Sequence, residues 1–303
     1  MVELKKLFAL VQRNMKCYFK DKFLFFVSLI TPMILLVLFV TFLRGVYMQS
    51  FDGIFQQFGF TPDDYRVVEG LAGSWLLSSI LAVCSVTVAI CSNAVMISDK
   101  IEGCLNDLRV SPVNGITLSI SYFIANFIVT LIVMLAVMVI GFIYLAIVGW
   151  YISAVNVLMI LVDIICCVLF GTLLAGVVES FISSQGGLSA ISTLVSSMYG
   201  FICGAYMPLS QFAEGMRNII CALPCTYSVG IVRQHFMSDY VEKLGEMGLS
   251  EYGQKALLDG FDGNLYVSGT QIQLWAMYTI LLGACAVLLA AYIAIVVVKN
   301  KKK

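Results

Sequence analysis

The sequence is short of charge, of histidine and of any phosphate-binding loop, and each shortage excludes a class of protein. Only 12% of the 303 residues are charged while 60% are hydrophobic. With a mean hydropathy of +0.96, too little polar surface exists to cover a soluble globule of this size, so the expected solvent is the bilayer. A single histidine, His235, does not supply a metal centre or a catalytic array. The simplest reading puts it at the lipid headgroups, the alternative being a direct chemical role. No Walker-type loop occurs: Gly248 to Lys255 has the glycine spacing, but Gln254 stands where lysine is required, so phosphates have no cradle. Disulfide chemistry is also thin. The ten cysteines lie mostly in apolar runs, as Cys166 and Cys167 do, where a thiol packs as a small hydrophobe. Cys221 and Cys225 are the one candidate bridge. The first apolar run follows a long charged segment containing Asp21 and lacks a small-residue cleavage site, so it is not read as a removed signal peptide.

What the chain does have is length in its apolar runs. A helix crossing the hydrocarbon core needs about 20 apolar residues, because its backbone amides must find partners within the segment. The predicted fold is therefore an all-α integral membrane protein with six transmembrane helices, at about 23–43, 71–97, 117–148, 154–178, 188–207 and 273–298. Thr31-Pro32 is expected to kink the first. Ahead of it, residues 3–20 put Leu4, Leu7, Phe8, Val11, Met15 and Tyr18 on one helical face and Lys5, Lys6, Gln12, Arg13, Lys16 and Lys20 on the other, a helix that lies in the membrane surface. Residues 44–70 are polar and read as a loop. The apolar stretch 116–178 would reach on the order of 90 Å as one helix, so it is a two-span hairpin with Trp150 and Tyr151 at its tip.

Between the second and third spans, 98–112 reads as a short amphipathic helix. Asp99 caps it, Glu102 follows three residues on, Ile101, Leu105 and Leu108 share a face, and Ser111-Pro112 ends it. Segment 208–237 is broken by Pro208 and Pro224 and carries Arg233; its apolar runs of about a dozen residues suit a re-entrant segment better than a span. A polar external loop, 238–271, then leads to the last span. With both termini inside, the cytoplasmic segments hold Lys5, Lys6, Arg13, Lys16, Lys20, Lys22, Lys100, Arg109, Lys299, Lys301, Lys302 and Lys303, twelve of the 18 basic residues, which fixes the orientation.

Two features inside the spans invite function. Asp163 lies in the fourth, where a carboxylate costs roughly 2.5–3.5 kcal/mol, so it should face protein or a wet cavity; proton coupling, a cationic substrate, a structural hydrogen bond and a position nearer the interface all fit. Ser74, Ser78, Ser85 and Ser92 share one face of the second span, and Ser189, Ser192, Ser196, Gly200 and Gly204 one face of the fifth. Such stripes let helices pack closely, Gly200 and Gly204 forming a GxxxG pair, or they line a translocation path across a subunit boundary.

In order and spacing these elements resemble the ABC transporter permeases of the type-2 exporter class, whose members move drugs, lipids or polysaccharide out of the cell. Arg13-Asn14 and Lys20-Asp21-Lys22, with Pro32 beyond, are similar to that family's interfacial connecting helix. Asp99, Lys100, Ile101, Glu102 and Gly103 through Leu105, Leu108 and Arg109 to Ser111-Pro112-Val113 resemble its ATPase-docking loop. Gly204, Pro208, Pro224, Tyr227 and Arg233 resemble its external re-entrant gate. The turn 179–185 departs from the pattern in lacking a basic charge. The resemblance implies a half-size permease for an amphipathic or hydrophobic substrate, paired with a second copy or a sibling. Separately encoded ABC ATPase subunits would bind ATP and Mg, this chain holding no cofactor or metal and acting on no nucleic acid. It also implies the plasma membrane, of a bacterium by its compact size and lack of a fused ATPase. The competing class is an ion-gradient-driven secondary transporter, suggested by Asp163, but it calls for inverted repeats with paired broken helices, and 208–237 has no counterpart in the first half.

Overall fold

The computed structural model describes residues 2–38, 41, 44–110, 113–267 and 269–301, and the chain is 83% helical. The helices are α1 (Val2–Lys20), α2 (Lys22–Leu38), α3 (Arg44–Gln57), α4 (Tyr65–Ile101), α5 (Cys104–Val110), α6 (Gly115–Val148), α7 (Ala154–Glu179), α8 (Gln185–Ile202), α9 (Glu214–Ala222), α10 (Pro224–Glu246), α11 (Glu251–Gly260) and α12 (Leu274–Lys301). An antiparallel hairpin, β1 (Leu265–Val267) with β2 (Thr270–Ile272), precedes α12 and pairs Tyr266 with Gln271. Four helices among the described residues are long and apolar enough to cross a membrane: α4, α6, α7 and α12 up to Val298. With their mean hydropathies of 2.3 to 3.0, they make this a multi-pass membrane protein.

The bundle is built around α4. In its most apolar window 83% of the residues are buried inside the subunit, against 17% for α12, so α4 is a hub and α12 a rim. Small side chains permit this. Gly171 of α7 approaches α4 so closely that an added methyl would sit 2.2 Å from the Ser85 carbonyl oxygen, a backbone atom that cannot step aside. Helix ends follow from local chemistry. Asp64, Asn114, Ser153 and Ser184 each turn a side-chain oxygen onto an early backbone N–H of α4, α6, α7 and α8. At one end of the bundle, the cap end, lie α3, α9, α11 and the hairpin; at the other, the base, lie α1 and α5.

Several expectations need correction. Residues 44–57 are the helix α3 rather than loop, because Phe51 and Phe55, one turn apart, are both buried and Phe51 stacks on Phe261 at 4.0 Å. The chain is not wholly α-helical, since the 238–271 loop contains the end of α10, α11 and the hairpin. Asp99 does not cap a new helix: α4 runs through it to Ile101, and the break comes at Gly103, whose φ of +86° is a left-handed conformation that favours glycine. Helix α8 stops at Ile202, short of 207, with Gly204 at φ +70° making the turn. The Gly200/Gly204 pair does not bring two helices together; the Tyr206 ring lies over Gly200 and Leu209 against Gly204. Helix α2 continues across positions 31–32, but the side chains of Thr31 and Pro32, like that of Arg109 and both Ser111 and Pro112, lie outside the described residues. The bases expected at 302 and 303 lie outside them too. All ten cysteines, Cys221 and Cys225 included, are free thiols.

Candidate functional site

Charged side chains inside this bundle are few, and the structure gathers most of them into three clusters, two side by side on α10 and one at the base. At the cap end α10 carries Arg233, 1% exposed, into the heart of the subunit. Its guanidinium donates to Ser79 Oγ at 2.8 Å, to the Gly204 carbonyl at 3.2 Å and to Asp262 Oδ2 at 3.3 Å, and its carbon lies 4.9 Å from the centre of the Trp75 ring. Trp75 in turn donates its indole N–H to the Phe261 carbonyl at 2.9 Å, and Asp262 accepts the Leu209 N–H at 2.7 Å. Burial pushes the Asp262 carboxyl up to about 6, with Arg233 and the Leu209 N–H pulling the other way. One arginine thus joins α4, the turn after α8, α10 and the loop after α11. Beside it a cavity of about 630 Å³ opens, lined by Glu214, Arg217, Asn218, Asp259, Asp262 and Tyr266 among others.

At nearly the same level, Asp163 of α7 is 0% exposed and faces His235, two residues along α10 from Arg233. It accepts a hydrogen bond of 2.7 Å from His235 Nδ1 of α10 and another from the Tyr278 hydroxyl of α12. His235 is itself buried, so the headgroup-level reading is corrected: its carboxylate partner lies 72 residues away in the chain. Of the readings open for Asp163, the structure shows a fully satisfied carboxylate facing protein.

The base holds the third cluster. Arg13 of α1 grips Asp99 with both arms of its guanidinium, one contact measuring 2.7 Å, and the Tyr122 hydroxyl of α6 donates to the same carboxylate at 2.6 Å. The hydrogen bond to Asp99 raises the Arg13 pKa despite partial burial, so the guanidinium stays charged. Val11, Asn14 and Tyr18, spaced by one and two helical turns, are the buried edge of α1, while Leu4 and Phe8 remain 73% and 70% exposed. Lys100 donates to the Ile182 carbonyl at 2.6 Å and to Ser183 Oγ at 3.1 Å, tying α4 to the turn after α7. Asn93 donates to Glu179, buried at 1% exposure.

The residues singled out from sequence are dispersed among these clusters. Asp99 and Lys100 are engaged within the subunit, whereas Ile101 and Glu102 are exposed and Leu105 and Leu108 half-buried. Ser74, Ser78, Ser85 and Ser92 are all buried: Ser78 and Ser85 donate to carbonyls three residues back, and Ser92 meets Asn126 of α6. Ser192 and Ser196 of α8 instead line an open groove of about 430 Å³ with Ser28, Thr87, Cys91 and Thr193, while Ser189 is exposed and Gly200 buried. Pro224 begins α10, Pro208 begins a 3-10 turn, and Tyr227 donates to the Cys221 carbonyl at 2.8 Å. Arg13, Tyr122, Asp262 and Tyr278 were not among the residues singled out as site candidates; Arg13 entered only as part of the surface helix, the other three have as their signal a polar group in or beside an apolar run, and the partners lie 23 to 115 residues apart.

Among protein families, the one described as ABC-2 type transporter matches residues 5–237. No curated protein matches the sequence.

Proposed function

This chain belongs to the ABC-2 type transporter family, and from that premise we propose that it is the permease half of an ATP-driven exporter for an amphipathic or hydrophobic substrate. It is the transport component and not itself an enzyme. ATP and Mg2+ are bound, and the ATP hydrolysed, by separately encoded ATPase subunits beneath the base, and a second copy or a sibling completes the path. In this reading α2 and α8 complete six crossings, both termini are cytoplasmic, and the membrane is a bacterial plasma membrane.

The observation that carries the reading is the base cluster. Helix α5 hangs from α4 by the two-residue break at Glu102-Gly103, and just above that break Asp99 is gripped by Arg13 of the surface helix and by Tyr122 of α6. A push on α5 by a closing ATPase therefore reaches the buried hub α4 together with α1 and α6, instead of being absorbed by a loose loop. The exposed Ile101 and Glu102, with Arg109, form the docking surface. The groove between α2, α4 and α8, hydroxyl-lined on walls otherwise apolar, is this subunit's share of the path. Gly204, Pro208, Pro224, Tyr227 and Arg233 belong to the outer gate.

Purification with the ATPase, followed by substrate-stimulated hydrolysis in liposomes, is the deciding experiment. Paired charge reversals, Glu102→Lys and Arg109→Glu, should reduce recovery of the ATPase with the permease; undiminished recovery would remove docking at α5. Within the groove, the native thiol of Cys91 should change its labelling rate when ATP is added.

A further inference from the structure

Besides a path and a docking surface, the subunit has a cavity of about 630 Å³ at the cap end that neither uses. It opens between α9, the end of α11 and β1, and its volume is that of a small-molecule site. Two carboxylates, three residues apart in the chain, are built into its wall. Asp259 accepts hydrogen bonds from the Asn264 amide at 2.8 Å and the Tyr266 hydroxyl at 3.0 Å, both on Oδ1. Asp262, its side chain 6% exposed, accepts from the Leu209 N–H and the Arg233 guanidinium, both on Oδ2. Each carboxylate is therefore held in place by donors on one oxygen. Among the described residues the other two oxygens, Asp259 Oδ2 and Asp262 Oδ1, meet no donor, and neither is sealed from solvent. The chain also accepts a local cost to set Asp262 there, since its φ of +55° is the only left-handed conformation of a non-glycine residue among those described.

Charge and donor chemistry select the occupant. Glu214, Asp259 and Asp262 line the cavity against Arg217 on α9, and with Arg233 behind the wall included the carboxylates still exceed the guanidiniums by three to two. An anion would bring acceptors to oxygens that lack donors. A cation brings what they lack. Among the described residues no three histidine, cysteine or acidic side chains are placed to hold a metal ion, so the positive charge must carry its own N–H groups. An ammonium carries three, one for each free oxygen and one to spare. Leu209 and Leu265, both buried and both lining the cavity, offer an apolar strip for a carbon chain.

We propose that this cavity is a binding site for an aliphatic amine, whose ammonium is held by Asp259 Oδ2 and Asp262 Oδ1 while its chain lies along Leu209 and Leu265. Asp259 is the discriminating residue. The charge of Asp262 is already answered by Arg233, whereas the partners of Asp259, Asn264 and Tyr266, are neutral. Arg217 works against the occupant from the α9 side and limits the affinity. The site belongs to the cap end alone and depends neither on the substrate in the groove nor on the ATPase.

Calorimetric titration of the purified permease with putrescine, in an uncharged detergent at neutral pH and fixed ionic strength, tests it. Putrescine should bind saturably, the uncharged diol of the same length at least about 10-fold more weakly, and succinate not at all. Asp259→Asn keeps an acceptor for Asn264 and Tyr266 but puts an NH2 where the free oxygen was, and should weaken putrescine by about 10- to 100-fold, the effect of losing a hydrogen bond between charged groups. Arg217→Gln, at an exposed position, should tighten it several-fold. No saturable binding by the parent, a diol that binds as well as the diamine, or an affinity unchanged in Asp259→Asn overturns the proposal. Weaker binding in Arg217→Gln overturns it too, because the occupant would then be held through an anionic group. If Asp259→Asn does not fold, the diol comparison and Arg217→Gln decide the matter by themselves.

Discussion

Two arginine–aspartate pairs hold this subunit, one at each end, in different surroundings. At the cap end the Arg233 and Asp262 side chains are 1% and 6% exposed; at the base those of Arg13 and Asp99 are 34% and 9%. The cap pair has the longer ion contact, 3.3 Å, and makes up for it with Ser79, Gly204, Trp75 and Leu209. The base pair is bidentate and has Tyr122 as its third member. Removing one partner of a fully buried pair strands the other charge away from water, whereas a partly exposed pair can part and be rehydrated. The first is a permanent fastening and the second a joint, which is the difference expected between a scaffold and a part that must transmit motion.

The sharpest way to break this contrast is at Arg233. Replacing it with glutamine should destabilise the subunit by about 3–5 kcal/mol, read as a lowered unfolding midpoint, because Asp262 is left buried without its cation. A loss under about 1 kcal/mol would erase the distinction between the two ends. Next is Asp262→Asn. The buried carboxyl binds its proton near pH 6, above the 3.8 of an unperturbed aspartate, so between those values the folded state holds more protons than the unfolded one. Its contribution to stability accordingly declines as pH rises from about 4 to 6, by roughly 3 kcal/mol in all. Asparagine should remove that decline; a decline of the same size in the variant would place the titration elsewhere. Trp75→Phe replaces a buried indole by a smaller ring and deletes the N–H to Phe261, and should cost about 2–3 kcal/mol from the cavity and the lost hydrogen bond together. Smallest in stability is Arg13→Lys, under about 1 kcal/mol, since the positive charge is kept and only the two-armed grip is lost, on the side of the pair that solvent reaches. Its larger effect should appear in coupling, as a loss of substrate-stimulated ATP hydrolysis with ATPase recovery unchanged. Normal stimulation would show that the joint carries no force.

What was legible in the sequence was whatever has a local period. The surface helix α1 and the long apolar helices announce themselves by spacing and length, whereas the break at Gly103 did not, since Asp99 and Glu102 read as the start of a new helix. Helix α3 was not legible, because Asp52, Gln56 and Gln57 outweigh two phenylalanines whose burial depends on Phe261, two hundred residues later. The polar clusters were hidden for the same reason. Pro208, Pro224 and Arg233 made 208–237 read as a broken re-entrant segment, yet Arg233 and His235 each have a carboxylate on another element, and no periodicity within one segment encodes a partner 29 or 72 residues away. The serines of α4, read as either a packing face or a path, show the limit from the other side. A shared helical angle places side chains on one line, but it does not say which neighbour covers the line, and here α6 and α7 cover Ser92 and Ser85.

The contacts of Trp75 and Ser79 also set an order of events during biosynthesis. Both residues leave the ribosome long before Phe261 and Arg233, the groups that satisfy them. Until the last third of the polypeptide has been made, α4 waits in the bilayer with an indole N–H that lacks its final partner, the Ser79 hydroxyl meanwhile donating to the Trp75 carbonyl of its own helix, and a chain truncated ahead of Arg233 never supplies the Phe261 carbonyl. Quality-control proteases that recognise unsatisfied polar groups within the membrane would therefore meet, in every prematurely terminated copy, a substrate already marked for removal.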